Sequence, residues 1–202
     1  MKTQRLFQHV TYEVAQSAEL IRNAKNLCHD VYLQAGYIHQ PLPGRVIPYE
    51  HDSVAFYIVA LNEMREVLGT IRITQGASFK TLDVWKDRLY PACAPLISDA
   101  LNGSSCEVGA LAVRKDCCAM KISWGLYKAA YRCALALNLD YVIISMDVRA
   151  LRSFEMLGWS VVRIGEALDY FGSLTVPGIL TVSKQAAAVE SGNQVYHKML
   201  AA

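Results

Sequence analysis

CEVGALAVRKDCCAMKISWGLYKAAYRCALALNLDYVIISM, residues 106–146, decides the fold. Cys106–Val113 is a β-prone run. Ser123–Leu137 then carries Trp124, Tyr127, Ala130, Tyr131 and Ala134 three or four apart, the stripe of a helix that buries one face. Asn138-Leu139-Asp140 ends that helix. Tyr141–Met146 is apolar without alternation, as in a strand covered on both faces. A strand, a crossover helix and a second strand predict two parallel neighbours joined by a right-handed connection.

Downstream, Val148–Leu157 reads as helix, Gly158 as a turn and Trp159–Ile164 as a strand. Val176–Val182 is the last strand, with Pro177 near its start, and Gln185–Leu200 is a terminal helix interrupted around Glu190–Asn193. Upstream, Leu20, Ala24, Leu27, Val31 and Ala35 mark one amphipathic helix, or two short ones, within Val14–Tyr37, stopped by Gly36. The proline-rich stretch Gln40–Pro48 is an irregular loop. Val54–Leu61 and Glu66–Thr74 form a hairpin around Asn62–Arg65. Two helical pieces between Thr81 and Leu101 break at Pro91 and Pro95. This is an α/β (α+β) order around one mixed central sheet flanked by helices, and no linker divides residues 1–202.

Lys plus Arg number 20 and Asp plus Glu 18, a net charge of +2 that argues against a dedicated nucleic-acid binder. No apolar run is long enough for a membrane span, and the first residues carry no signal-peptide core, so a cytoplasmic location is expected. Cys28, Cys93, Cys106, Cys117, Cys118 and Cys133 include no Cys-x-x-Cys pair. They read as small, mostly buried hydrophobes rather than as a disulfide or metal framework.

The order of elements, and Ser153-Phe154-Glu155-Met156-Leu157-Gly158-Trp159 closing the later helix, resembles the GNAT acyltransferase superfamily. Asp30–Ile38, Asp52 and Leu68-Gly69-Thr70-Ile71-Arg72 resemble the autoinducer (acyl-homoserine-lactone) synthases and, more closely, the long-chain N-acyl amino acid synthases such as N-acyl tyrosine synthases. The resemblance spans about Leu20 to Val182 and implies one GNAT-like acyltransferase domain over residues 1–202. Autoinducer synthases carry an arginine three residues after the strand glutamate, where this chain has Ala110. They also carry a tryptophan and an acidic pair where this chain has Tyr37 and Asp52.

The resemblance implies transfer of a fatty acyl group from the phosphopantetheine arm of acyl carrier protein to an amino acid's amine, with tyrosine first among acceptors and no tightly bound cofactor or metal. Glu107, at the start of the central strand, is the candidate base, or a salt-bridging strand end. Backbone N–H groups of Leu111, Ala112 and Val113 are candidates for the oxyanion. Arg72 suits a carboxylate clamp or a partner for Glu50 or Asp52; Tyr32 and Tyr37 are substrate contacts or helix-face packing; His51 reads as a surface histidine. A fatty tail gains about 0.8 kcal/mol per buried methylene. Leu101, Trp124, Tyr127, Tyr131, Ile143, Phe154 and Leu157 could line its tunnel or simply fill the core.

Arg114-Lys115-Asp116-Cys117-Cys118 precedes the long helix without a glycine, which disfavours a backbone nest for a pyrophosphate. Arg114, Lys115, Lys121, Lys128 and Arg132, with Arg149 and Arg152 beyond, could instead dock an acidic carrier protein or merely solvate the surface. The other readings are an acyl-homoserine-lactone synthase, a coenzyme A-dependent N-acetyltransferase, and a non-catalytic acyl or acyl-carrier binding module.

Overall fold

The computed structural model describes residues 9–49, 54–76, 78–156 and 159–190. Among the described residues these α-helices and strands follow one another: β1 (Thr11–Val14), α1 (Ala18–Ala35), β2 (Ala55–Leu61), β3 (Val67–Gln75), α2 (Lys80–Trp85), α3 (Ala94–Asn102), β4 (Ser105–Val113), α4 (Ala119–Ala136), β5 (Tyr141–Asp147), α5 (Val148–Met156), β6 (Val161–Arg163), β7 (Leu168–Tyr170), β8 (Ser173–Thr181) and α6 (Val182–Glu190). The strands form one sheet in the order β1-β2-β3-β4-β5-β8-β6, with β7 also on β8. The expected parallel pair is β4–β5, in register from Ser105↔Tyr141 to Val108↔Ile144. The pairs β1–β2, β5–β8, β6–β8 and β7–β8 are antiparallel. Among the described residues no helix is long and apolar enough to cross a membrane.

The chain packs as two compact units. The first comprises Met1–Asp52, Phe56–Arg72 and Ala110–Ala130. In it, Ala24, with Leu20 and Ile21, packs α1 against Tyr57, Val59 and Leu61 of β2. Ser17 caps α1, its hydroxyl accepting from the Leu20 N–H at 3.1 Å, and Gly36 closes it at φ 78° with its N–H on the Leu33 carbonyl. The helix therefore starts later than its periodicity suggests, because Thr11–Val14 pairs with β2 as a strand. Successive residues of β3 face opposite ways. Arg72 points to the α1 face, while a side chain at Gly69 would meet Ile122 of α4 at 2.7 Å. Glycine lets that helix lie close on the strand.

The second unit comprises Ser53–Ala55, Ile73–Gly109 and Tyr131–Ala202. Phe79 and Leu82 near α2, Ala100 of α3, Ile143 of β5, Ile164 and Ile179 of β8 make a buried apolar cluster in it. Pro177, expected near a strand start, lies mid-strand opposite Ser145 of β5. In an antiparallel strand a residue's N and C=O project to the same side. The Pro177 carbonyl accepts from the Ile164 N–H at 3.1 Å, so its missing donor faces the side where β6 has ended at Arg163. The β5 ladder loses nothing. The terminal helix is described as far as Glu190; its expected remainder, and the Gly158 turn, lie outside the described residues.

Candidate functional site

In the second unit stands Glu107, the candidate base. Its side chain is 8% exposed, opposite Ile143 on β5. Helix α2 begins after Phe79, which offers no side-chain cap, so its first N–H groups need an acceptor from elsewhere. Glu107 supplies it. Oε1 accepts from the Thr81 N–H at 2.7 Å and from the Thr81 hydroxyl, and Oε2 accepts from the Lys80 N–H at 3.1 Å. A carboxylate has about four acceptor positions, and three are filled. Among the described residues, what remains is one lone pair on Oε2. The candidate base is thus also the anchor of a helix, a role its strand position did not reveal.

Beyond Val108 the β4–β5 register stops, leaving Gly109 and Ser145 outside the ladder. A side chain built on Gly109 would meet nothing within 4 Å, so the backbone here borders open space. The first unit takes over β4 at Ala110, whose φ of 49° is left-handed in mid-strand. Such a value is costly for a residue with a Cβ and reorients the peptides that follow, those of Leu111, Ala112 and Val113. The buried Cys28 thiol donates to the Ala110 carbonyl at 3.9 Å.

The same unit gathers Arg72, Tyr32 and Tyr37 around Cys28, which the sequence presents as a buried hydrophobe, and Tyr49, which the sequence reading left out. The Arg72 guanidinium, 8% exposed, lies 4.5 Å from the Tyr49 ring centroid. The Tyr49 hydroxyl is 3.7 Å from Cys28 Sγ, and Tyr32 and Tyr37 meet edge to face at 5.2 Å. Burial pushes the Cys28 thiol up to about 11 and drives the Tyr49 phenol upward too. Both stay protonated near neutrality, beside the positive guanidinium of Arg72.

The loop that presents Tyr49 is held from α1. His29 Nε2 accepts the Leu42 N–H at 3.0 Å, so Nδ1 carries the proton and donates to Asp30 at 3.0 Å. Asp30 also takes Arg45, whose hydrogen bond is the first cause of its lowered pKa. Glu50, His51 and Asp52 lie outside the described residues.

The expected tunnel residues are divided between the two units. Leu101 is 44% exposed on α3 and stands outside any enclosed tunnel, because that face of the helix turns to solvent. Ile143 is sealed in the cluster beneath α2 and α3. Tyr131 and Phe154 instead share Trp159, at 5.3 and 5.4 Å between centroids. Trp124 and Tyr127 belong to the first unit, stacked edge-on along α4 at 6.1 Å. Leu157 lies outside the described residues.

The basic stretch before α4 is partly neutralised. Arg114 binds Asp116 through Nε at 3.0 Å and Nη2 at 2.5 Å, with Glu66 at 3.8 Å. Lys115 and Lys121 are exposed, Lys128 is half-buried, and Arg132 is exposed in the second unit. Residues 114–118 include no left-handed φ. Of the cysteines, expected to be mostly buried, Cys28 and Cys106 are buried, Cys93, Cys117 and Cys133 are half-buried and Cys118 is exposed.

The family model described as "N-acyl amino acid synthase FeeM" matches residues 23–182. No curated protein matches the sequence significantly. Among solved structures, FeeM, an N-acyl amino acid synthase from uncultured soil microbes, superposes with a TM-score of 0.69 at 17% identity, over 89% of this chain and 94% of that one. The acyl-homoserine-lactone synthase LasI gives 0.67 at 14% identity over 87% and 91%. BjaI, a coenzyme A-dependent acyl-homoserine-lactone synthase, gives 0.70 at 16% identity over 93% and 90%.

Proposed function

The chain belongs to the N-acyl amino acid synthase FeeM family and is an N-acyltransferase, and from that premise we propose that it joins a long-chain acyl group, carried on the phosphopantetheine arm of acyl carrier protein, to the α-amine of tyrosine in the cytoplasm. The family match over residues 23–182 carries this reading.

The reaction is aminolysis of a thioester. The attacking amine must be neutral, and removing its proton near pH 7 costs only about 1–3 kcal/mol. A single well-placed acceptor suffices. The remaining lone pair on Glu107 Oε2 takes that part, directly or through a water. The amine attacks the carbonyl carbon, and the oxyanion is met by N–H groups of Leu111–Val113, which follow the left-handed Ala110. The intermediate then expels the pantetheine thiolate and leaves an amide. Arg72 receives the amino acid's carboxylate, and Tyr32, Tyr37 and Tyr49 offer ring surfaces to an aromatic side chain. Tyr131, Phe154 and Trp159 are the second unit's candidates for contact with the tail.

A carrier protein is favoured over coenzyme A by the turn before α4. It has no left-handed residue to shape an anion nest, and it holds the Asp116 carboxylate just before the helix start. Alanine at position 110, where autoinducer synthases have arginine, favours an amino acid over S-adenosylmethionine as acceptor. The test is thiol release by the purified chain with acyl-carrier and acyl-coenzyme A donors of several lengths, against a panel of amino acids and S-adenosylmethionine. Mass spectrometry would identify the product. N-acyl tyrosine formed from the carrier donor is expected. A lactone product, a preference for coenzyme A, or a preference for short acyl groups would each overturn the corresponding part.

A further inference from the structure

On the outer side of α3, in the second unit, runs a groove of about 470 Å³, within the range of small-molecule sites. One wall is a stripe of α3: Ala94, Ile97, Ser98 and Leu101, spaced to share a helix face. The other is the segment of Leu89 and Pro91. That wall is fixed, since the Tyr90 N–H donates to the Ile164 carbonyl at 2.8 Å and Leu89 bridges to Gly165. Ile97 and Leu96 tie the helix side to the core beneath. The groove is therefore pre-formed, and none of its lining side chains is charged.

Beside Tyr90, which also lines the groove, the polarity changes. The Arg163 guanidinium sits 5.8 Å from the Tyr90 ring centroid, and its Nε donates to the Gly165 carbonyl at 2.9 Å. It is exposed, and among the described residues it makes no ion pair. An apolar trough along α3, roughly 13 Å at 1.5 Å per residue, thus has an oriented cation beside one lining residue, Tyr90. That combination suits one alkyl chain bearing one anionic head.

We propose that the α3 groove is a second ligand site, separate from the Glu107 and Arg72 clusters, that binds a single-chain anionic amphiphile of the class the enzyme makes, an N-acyl amino acid. The choice of ligand rests on the acyltransferase reading; the site rests on the groove and Arg163. Each methylene laid in the trough strengthens binding about fourfold at most, and the carboxylate meets Arg163. Leu101, whose exposure removes it from an internal tunnel, contributes its side chain here. Product held in this way leaves the catalytic residues without dispersing as free amphiphile.

The test uses the full-length protein and dodecanoate carrying a terminal photoreactive diazirine, with crosslinks mapped by mass spectrometry. Labelling of the 89–102 segment is expected, competed by N-dodecanoyl-tyrosine but not by tyrosine. Two exposed positions give the variants. Arg163→Glu should weaken the anionic probe about tenfold while leaving dodecanol unaffected, and Ser98→Glu should abolish labelling of the segment. Both should retain wild-type thiol release. Labelling confined to other segments, or an affinity unchanged in both variants, would overturn the proposal. Absent thiol release from wild type with the segment still labelled would instead sink the catalytic reading and leave the site standing.

Discussion

Glu107 holds Lys80 and Thr81 by three hydrogen bonds, so a change there acts on both folding and turnover. Glutamine keeps one acceptor oxygen and turns an N–H₂ toward a donor. Glu107→Gln should therefore cost about 1–3 kcal/mol of stability, seen as a Tm lowered by several degrees. It should also cut thiol release at least tenfold. Thr81→Val removes only the hydroxyl donor and separates the effects: a smaller fall in Tm with turnover retained. Were Glu107→Gln to lose stability while keeping turnover, Glu107 would be a helix anchor alone. The glutamate was legible in the sequence as an acid on a central strand. Its partner was not, because Thr81 lies 26 residues away and no local pattern records such a contact. Tyr49 was illegible for a related reason. It follows Pro48 in an irregular loop, and stacking on Arg72 has no periodicity to betray it.

Helix α4 approaches its neighbours through glycines rather than through apolar periodicity alone. A Cβ on Gly125 would run into the Tyr12 ring of β1. Alanine gains about 1 kcal/mol over glycine in a helix interior, but overpacking costs about 1–3. Gly125→Ala should be net destabilising, and adding Tyr12→Ala should return the helix gain, a coupling readable in a double-mutant cycle of urea midpoints. At α5 the device is a cap. Asp147 Oδ1 accepts the Arg149 N–H at 2.7 Å, and the Arg149 side chain comes first among the causes holding its pKa below the usual carboxylate value. A depressed folded pKa adds stability that is present above the unfolded value, near 3.9, and lost as pH falls through the folded one. Asp147→Ala should cost about 1 kcal/mol at pH 7, with the gap to wild type closing below pH 4. The long apolar runs at Ala55–Leu61 and Tyr141–Asp147 were plain in the sequence. β1 and β7 were not, since strands of four and three half-exposed residues carry almost no alternation and exist through their partners β2 and β8.

For the whole molecule, a net charge of +2 gives no strong field, so attraction of an acidic carrier must come from where the cations sit. The sequence places Arg114, Lys115, Lys121, Lys128 and Arg132 close together along the chain but does not say which are already engaged. Arg114 is: Asp116 and Glu66 surround it, and reversing it would break an internal network rather than a docking face. Lys115 and Lys121 are both exposed, and among the described residues Lys115 reaches the Gln34 carbonyl at a marginal 3.4 Å. Reversal of these two to glutamate should therefore raise the apparent KM for an acyl-carrier donor about tenfold while leaving a pantetheine thioester unchanged. Arg114→Glu should chiefly lower Tm. Surface attraction is screened over about 8–10 Å near physiological salt. Raising ionic strength to about 0.5 M should consequently weaken the carrier donor in wild type and barely affect the double reversal. Equal losses with both donors would place the two lysines in the folding of the chain instead of its recognition of a protein partner. That result would also remove the electrostatic case for a carrier, leaving the turn at 114–118 as its remaining support.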